Sequence, residues 1–224
     1  MGVMKDYEEK MDVEMLLGHV KSARASRYSD DAEELLDQVR EADALHPVAA
    51  CRGAKVTEIT DEAVYIDDVP FRSALLVKEA KVGDTIYPCL ITAGRKLEEL
   101  GPKLDDVMLE FLNGVLMTAC LDDGLIEISK EIAGDRRDGR MLMVKPGIAG
   151  SCELGEQERI LEMLPGAMAE AGVILGDDGM LRPAYSSTAV LYLTEGESNL
   201  CADWEDPKAR AAYVQDLNVI AGHV

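Results

Sequence analysis

Two loops carry the residue types best suited to holding a small polar ligand. The first is Met143-Val144-Lys145-Pro146-Gly147-Ile148-Ala149-Gly150-Ser151-Cys152, where a strand pattern runs into Pro-Gly and small residues before Glu153 to Glu158 starts a helical pattern. Small residues let a ligand approach the backbone closely, and the N-terminus of the following helix offers N–H donors to a carboxylate. That chemistry suits an amino-acid-bearing ligand, and the same residues also read as an ordinary strand-to-helix turn. The second loop, Met180-Leu181-Arg182-Pro183-Ala184-Tyr185-Ser186-Ser187-Thr188, sets a cation and a hydroxyl-rich run ahead of the apolar strand Ala189 to Leu193. Its hydroxyls can meet a polar ligand or close the loop by bonding to its own backbone.

Other chemistries lack their residues. There is no G-x-G-x-x-G after a strand, no G-x-x-x-x-G-K-[ST] and no G-x-S-x-G elbow. The histidines are His19, His46 and His223, near the two ends and beside Pro47. The adjacent acids Asp67-Asp68, Asp105-Asp106, Asp122-Asp123 and Asp177-Asp178 point apart on any regular element and read as caps and turns. Cys51, Cys89, Cys120, Cys152 and Cys201 show no C-x-x-C pair and no metal-ligand spacing. No catalytic group and no metal site is expected.

The loops must be positioned by the elements around them. Asp12 to Val20 and Ser29 to Leu45 read as helices, the second with Asp30 and Glu33 as a capping box. Lys55 to Thr60, Ala63 to Asp67, Asp84 to Ala93 and Met141 to Lys145 read as strands, with turns at Asp61-Glu62 and Asp67-Asp68. Arg95 to Leu100 is a helical turn. Leu104 to Ile132 reads as one long helix ending at Gly134, with Gly114 and Gly124 permitting close packing; the alternative is a break near Asp122-Asp123-Gly124. Glu156 to Leu164 is a further helix, and Asp206-Pro207 opens a last one with Asp at the N-cap. Strands and helices do not alternate strictly, which predicts an α+β fold on a mainly antiparallel sheet.

The 224 residues carry 23 basic and 43 acidic side chains, a formal charge of −20, in a single expected domain spanning 1–224. That field repels nucleic-acid phosphates and anionic membranes, so neither is an expected partner. Met1 to Lys10 is charged and lacks a signal-peptide core. No apolar run reaches the about 18 residues needed to cross a bilayer. Scattered cysteines fit a reduced, cytoplasmic protein.

The two loops in this order resemble the activation domain of cobalamin-dependent methionine synthase and its short stand-alone relatives. The plan runs from Lys145-Pro146-Gly147, through Glu156-Gln157-Glu158 and Ile160-Leu161, to Arg182-Pro183 and Ser186-Ser187. Leu16-Leu17-Gly18, Ile91-Thr92-Ala93-Gly94 and Asn113-Gly114 agree upstream. The similarity spans residues 11–195 and leaves 203–224 as a C-terminal helical extension. It implies a twisted, largely antiparallel sheet flanked by helices. It further implies an accessory protein that binds S-adenosylmethionine and docks on a corrinoid-binding methyltransferase or truncated methionine synthase to support reductive reactivation. With no D-x-H-x-x-G motif, cobalamin would sit on the partner alone. The resemblance makes Arg140, Lys145, Pro146, Gly147, Ala149, Arg182, Tyr185 and Ser186 the candidate ligand-binding residues. The family's R-x-x-x-G-Y element falls here on Met143 and Ile148, both apolar. The alternative is an interaction module on the same fold that has lost the methyl donor.

Overall fold

The structure, a computed structural model, describes residues 2–5, 11–20 and 25–222; Lys10 and His223, which bear on the expectations above, lie outside them. In chain order the strands are β1 (Gly2–Lys5), β2 (Val48–Cys51), β3 (Ala54–Ile59), β4 (Val64–Ile66), β5 (Val69–Phe71), β6 (Thr85–Thr92), β7 (Arg140–Val144), β8 (Ile174–Leu175), β9 (Leu181–Arg182) and β10 (Ser186–Thr194). The helices are α1 (Val13–Gly18), α2 (Ser29–Glu41), α3 (Ala74–Glu79), α4 (Arg95–Leu100), α5 (Val107–Ala133), α6 (Glu156–Glu162), α7 (Ala167–Ala171) and α8 (Pro207–Gly222). The fold is α+β, with an antiparallel sheet flanked by helices.

The sheet has β6 at its centre. One edge of β6 pairs with β10, which pairs in turn with β7. The other edge is shared: Thr85 and Ile86 pair with β3, and Cys89 to Thr92 pair with β2. The sheet therefore forks at Arg52-Gly53, one arm continuing to β1 and the other through β4 to β5. The β4–β5 turn at Asp67-Asp68 falls where the acid pair predicts it. Both residues take left-handed backbone, φ 45° and 67°, a conformation Asp tolerates better than most side chains.

Period-2 alternation splits the apolar residues between two layers. Leu142, Val144, Val190, Tyr192 and Leu90 face α3, α6 and α7. Met141, Met143, Ala189, Leu191, Cys89 and Ile91 face α8 and the second half of α5. α5 is 27 residues, about 40 Å, and outruns the sheet. Its first half buries Leu109, Leu112 and Leu116 against α1, α2 and α4 in a separate, all-helical cluster.

α5 starts at Asp106, whose carboxylate accepts the Met108 N–H at 2.6 Å, and runs unbroken to Gly134. Its glycines serve close packing: Gly124 is buried, and a Cβ at Gly114 would sit 3.4 Å from the Tyr185 hydroxyl. α2 departs from expectation at both ends. A 3₁₀ turn, Ala25–Tyr28, feeds directly into it, so its N-cap position is Tyr28 and the Asp30/Glu33 capping box is not formed. It stops at Glu41, and the chain turns at Asp43 with φ 46°. α8 opens as predicted, with Asp206 accepting from the Lys208 N–H at 3.1 Å. It lays Tyr213, Val214, Leu217 and Ala221 on β7 and α5, with Trp204 edge-on to Tyr213. Arg210 ties α8 to α5 through Asp123 at 3.1 Å and Glu127 at 3.7 Å. Among the described residues no helix is long and apolar enough to cross a membrane.

Candidate functional site

The end of the sheet where β6 and β7 finish and β10 begins collects both loops. Thr92 organises the junction. Its hydroxyl accepts from the Ser186 hydroxyl at 2.8 Å and from the Gly94 N–H at 3.1 Å, while the Ala93 N–H donates to the Tyr185 carbonyl at 2.9 Å. Gly94 is required there: its φ is +90°, and a Cβ would lie 2.9 Å from the His46 carbonyl oxygen.

The loop after β7 closes on itself. The Lys145 N–H donates to the Ser151 hydroxyl at 2.8 Å, the Gly147 N–H to the Cys152 carbonyl at 3.0 Å, and the Ser151 N–H to the Ile148 carbonyl at 3.0 Å. Gly147 and Gly150 take φ of 80° and 83°, which leaves Gly147 and Ala149 exposed at the rim. The helix that follows does not offer the expected free donors. It begins at Glu156 and is only seven residues long. The amides of Glu156, Gln157 and Glu158 already donate to the carbonyls of Glu153, Leu154 and Gly155.

Beside this loop lies a groove of about 560 Å³. Arg95, Glu98 and Glu99 come from α4, Leu154 and Gln157 from the turn into α6, Asp178, Met180 and Arg182 from the β8–β9 hairpin, and Ala184 and Ser186 from the start of β10. Arg182 meets Asp178 as a fork, Nη1 to Oδ1 at 3.1 Å and Nη2 to Oδ2 at 2.7 Å. That fork and the Met180 N–H hold the Asp178 carboxyl down at about 2. Glu98 accepts the Ala184 N–H at 3.0 Å and so fixes α4 to the segment after the cis Arg182-Pro183 bond. Gln157 is buried, with both ends of its amide engaged. Its Nε2 donates to the Gly179 carbonyl at 2.8 Å, and its Oε1 accepts from the Thr188 hydroxyl at 3.3 Å. The walls carry exposed apolar side chains, Leu154, Ile174 and Met180.

The expected site residues do not all meet. Arg182, Pro183 and Ser186 line the groove, on the α6 side of the sheet. Lys145 falls on the opposite, α5 side by the alternation of β7. Its amine is pulled below the usual range by burial, an effect opposed by Asp122 of α5. Tyr185 is also on that side, with its hydroxyl against Gly114. Gly147 joins the two sides, since a Cβ on it would stand 3.3 Å from Leu154 Cδ1 at the groove wall. Pro146 and Ala149 lie in the same loop. Arg140 is at the far end of β7, opposite Thr194 and about 13 Å of strand from Val144. Met143 is 1% exposed beneath α8, and Ile148 packs on the same core.

Comparison with family models and with curated proteins finds no match to the sequence. A solved structure does match: the crystal structure of the MetH reactivation domain bound to AdoHcy, with a TM-score of 0.56 over 88% of this chain and 80% of that one. The chain has the fold of the MetH reactivation domain. At 15% identity the likeness is one of fold.

Arg95, Glu98, Glu99 and Asp178 also line the groove and lie outside the two loops that the sequence singles out. Arg95 directly follows the Thr92-Ala93-Gly94 strand end, and Glu98 lies about one helical turn further on. Asp178 belongs to an acid pair read as a turn, which it also is: its carboxylate accepts the Met180 N–H within the hairpin. Among the described residues no three His, Cys, Asp or Glu side chains gather to hold a metal ion.

Proposed function

We propose that this protein is an accessory subunit that binds S-adenosylmethionine in the groove beside Arg182. We further propose that it docks on a separate corrinoid methyltransferase, or a truncated methionine synthase, to support reductive reactivation. The carrying observation is the composition of that groove on a fold whose solved relative is bound to AdoHcy. Two guanidiniums, Arg95 and Arg182, suit a carboxylate. Three carboxylates, Glu98, Glu99 and Asp178, suit an ammonium and a sulfonium, and Leu154 and Met180 offer apolar surface to a base. Two positive against three negative side chains leave the lining at −1, which favours a ligand of net +1 such as the methyl donor over its neutral thioether product. Cobalamin stays on the partner and supplies the methyl-carrying chemistry there. This chain binds, orients and shields.

Calorimetric titration of the pure protein tests the reading. Saturable binding of S-adenosylmethionine is expected, tighter than that of AdoHcy, and weakened about tenfold or more by Arg182→Ala through loss of a charge-assisted contact. Weakening by Lys145→Met with no effect of Arg182→Ala would move the site to the α5 side of the sheet. No heat at millimolar ligand would end the methyl-donor reading. A retained complex with a corrinoid protein on gel filtration would then leave the interaction module. The burial of Met143 and Ile148 in the α8-covered core supports that second reading.

A further inference from the structure

Cys51 and Cys89 are direct partners across β2 and β6. The next pair along is Arg52 and Pro88, where the Arg52 N–H donates to the Pro88 carbonyl at 3.4 Å. Hydrogen-bonded and non-hydrogen-bonded pairs alternate along an antiparallel ladder, so Cys51 and Cys89 occupy a non-hydrogen-bonded position. Their Cα atoms are then about 4.5 Å apart, with the side chains at their closest. Both thiols fall on the α5 side of the sheet, in the same apolar cluster. A disulfide accepts Cα separations of about 4.4–6.8 Å, so no strand needs to move. Only the Cys89 side chain must turn toward β2, giving up the contact in which its Sγ donates to the Ala189 carbonyl of β10 at 3.2 Å.

We infer that Cys51 and Cys89 form a reversible cross-strand disulfide, a redox-sensitive staple between β2 and the central strand of the sheet. The oxidant is a small, uncharged organic disulfide, a class that the acidic surface does not repel. Cys51 reacts first. It is 4% exposed against 0% for Cys89, and its neighbour on β1 is Gly2, which has no side chain to lie over it. The Cys51 thiol loses its proton to solvent, and the thiolate attacks one sulfur of the oxidant. This forms a mixed disulfide and expels a thiolate that takes up a proton. Cys89, likewise deprotonated, then displaces the second thiolate. Two electrons pass from the cysteine pair to the oxidant, which leaves as two thiols. Burial raises Cys51 to about 11, with the Glu131 carboxylate of α5 adding to the rise. Burial raises Cys89 to about 12, where Cys51 adds to the rise and the Ala189 carbonyl and Lys145 oppose it. The exchange is therefore slow at neutral pH. It accelerates about tenfold per pH unit as pH rises toward those values.

The test incubates the folded, full-length protein with bis(2-hydroxyethyl) disulfide between pH 7 and 10. Remaining thiols are then alkylated, and the protein is digested for peptide mass mapping. The expected product is a Cys51–Cys89 cross-linked peptide pair, two hydrogens lighter than the reduced pair and reversed by dithiothreitol. Its melting temperature should rise by about 5 °C. Cys51→Ala and Cys89→Ala, each a small substitution in the core, should each abolish the cross-link and the rise. Stable mixed disulfides at Cys51 that never resolve onto Cys89 overturn the inference. So does alkylation of both thiols after exposure at pH 10 while circular dichroism still reports the folded state.

Discussion

The two sides of the sheet's end differ more than their sequence suggests. On the α6 side, Arg182, Asp178, Arg95 and Glu98 line an open groove whose Arg182–Asp178 ion pair is half exposed. On the α5 side, Met143, Cys89, Leu191 and Leu125 are packed dry beneath α8. Residues one apart in the chain land on opposite sides, as Tyr185 and Ser186 do. The groove side can change its residues for binding at little cost in stability, because its charges keep their water. The α5 side cannot, because a polar group placed in its apolar cluster, away from the Arg210–Asp123 pair, gives up its water among aliphatic side chains.

The strongest attempt to break this contrast is Met143→Arg, which places a cation where the resembled R-x-x-x-G-Y element carries one. Met143 is 1% exposed in the apolar cluster under α8, so a guanidinium there would be a charge taken out of water among apolar side chains. A loss of about 4 kcal/mol is expected by urea unfolding, while Met143→Leu should cost less than about 1.5 kcal/mol. Near-wild-type stability of the Arg variant would mean that α8 opens readily and that the α5 side is a site after all. Next in size is Arg210→Met. It leaves Asp123, 7% exposed, without its cation on α5, and should cost about 2 kcal/mol. An unchanged unfolding midpoint would show that α8 is held by its apolar face alone.

The smallest effect belongs to the groove and sharpens the contrast from its side. Asp178 is held at about 2, below its ordinary 3.8, so its fork to Arg182 is intact at pH 4 and above and is lost as pH falls through about 2. Carbon NMR of the Asp178 carboxyl should show that midpoint. In Arg182→Ala it should return toward 3.8, with no measurable change in melting temperature.

Legibility followed the strength of local pattern. The apolar runs of Asp84 to Ala93 and Met141 to Lys145 and the long apolar period of α5 appear in the structure within a few residues. α3 and α7 were missed because six and five residues are too short to show a helical period. β2, Val48–Cys51, was missed because it is four residues long and two of them are Ala, so it shows neither alternation nor a strongly β-branched run. In the groove, Arg182 and Ser186 were legible from the loop they share. Arg95 and Glu98 were not, because α4 reaches the groove only through the β6–β10 pairing, across about ninety residues of chain.

Local patterns were enough to determine an antiparallel α+β fold, the unbroken α5 and the two loops, because alternation, helical period and Pro-Gly turns are properties of neighbouring residues. Tertiary structure decided which side of the sheet each candidate occupies, that Arg140 stands away from the rest, and that α8 covers Met143. Those outcomes depend on strand register, and a shift of one residue in register would exchange the two sides. The same register sets Cys51 against Cys89 across the sheet, a pairing that their separation in the sequence does not announce.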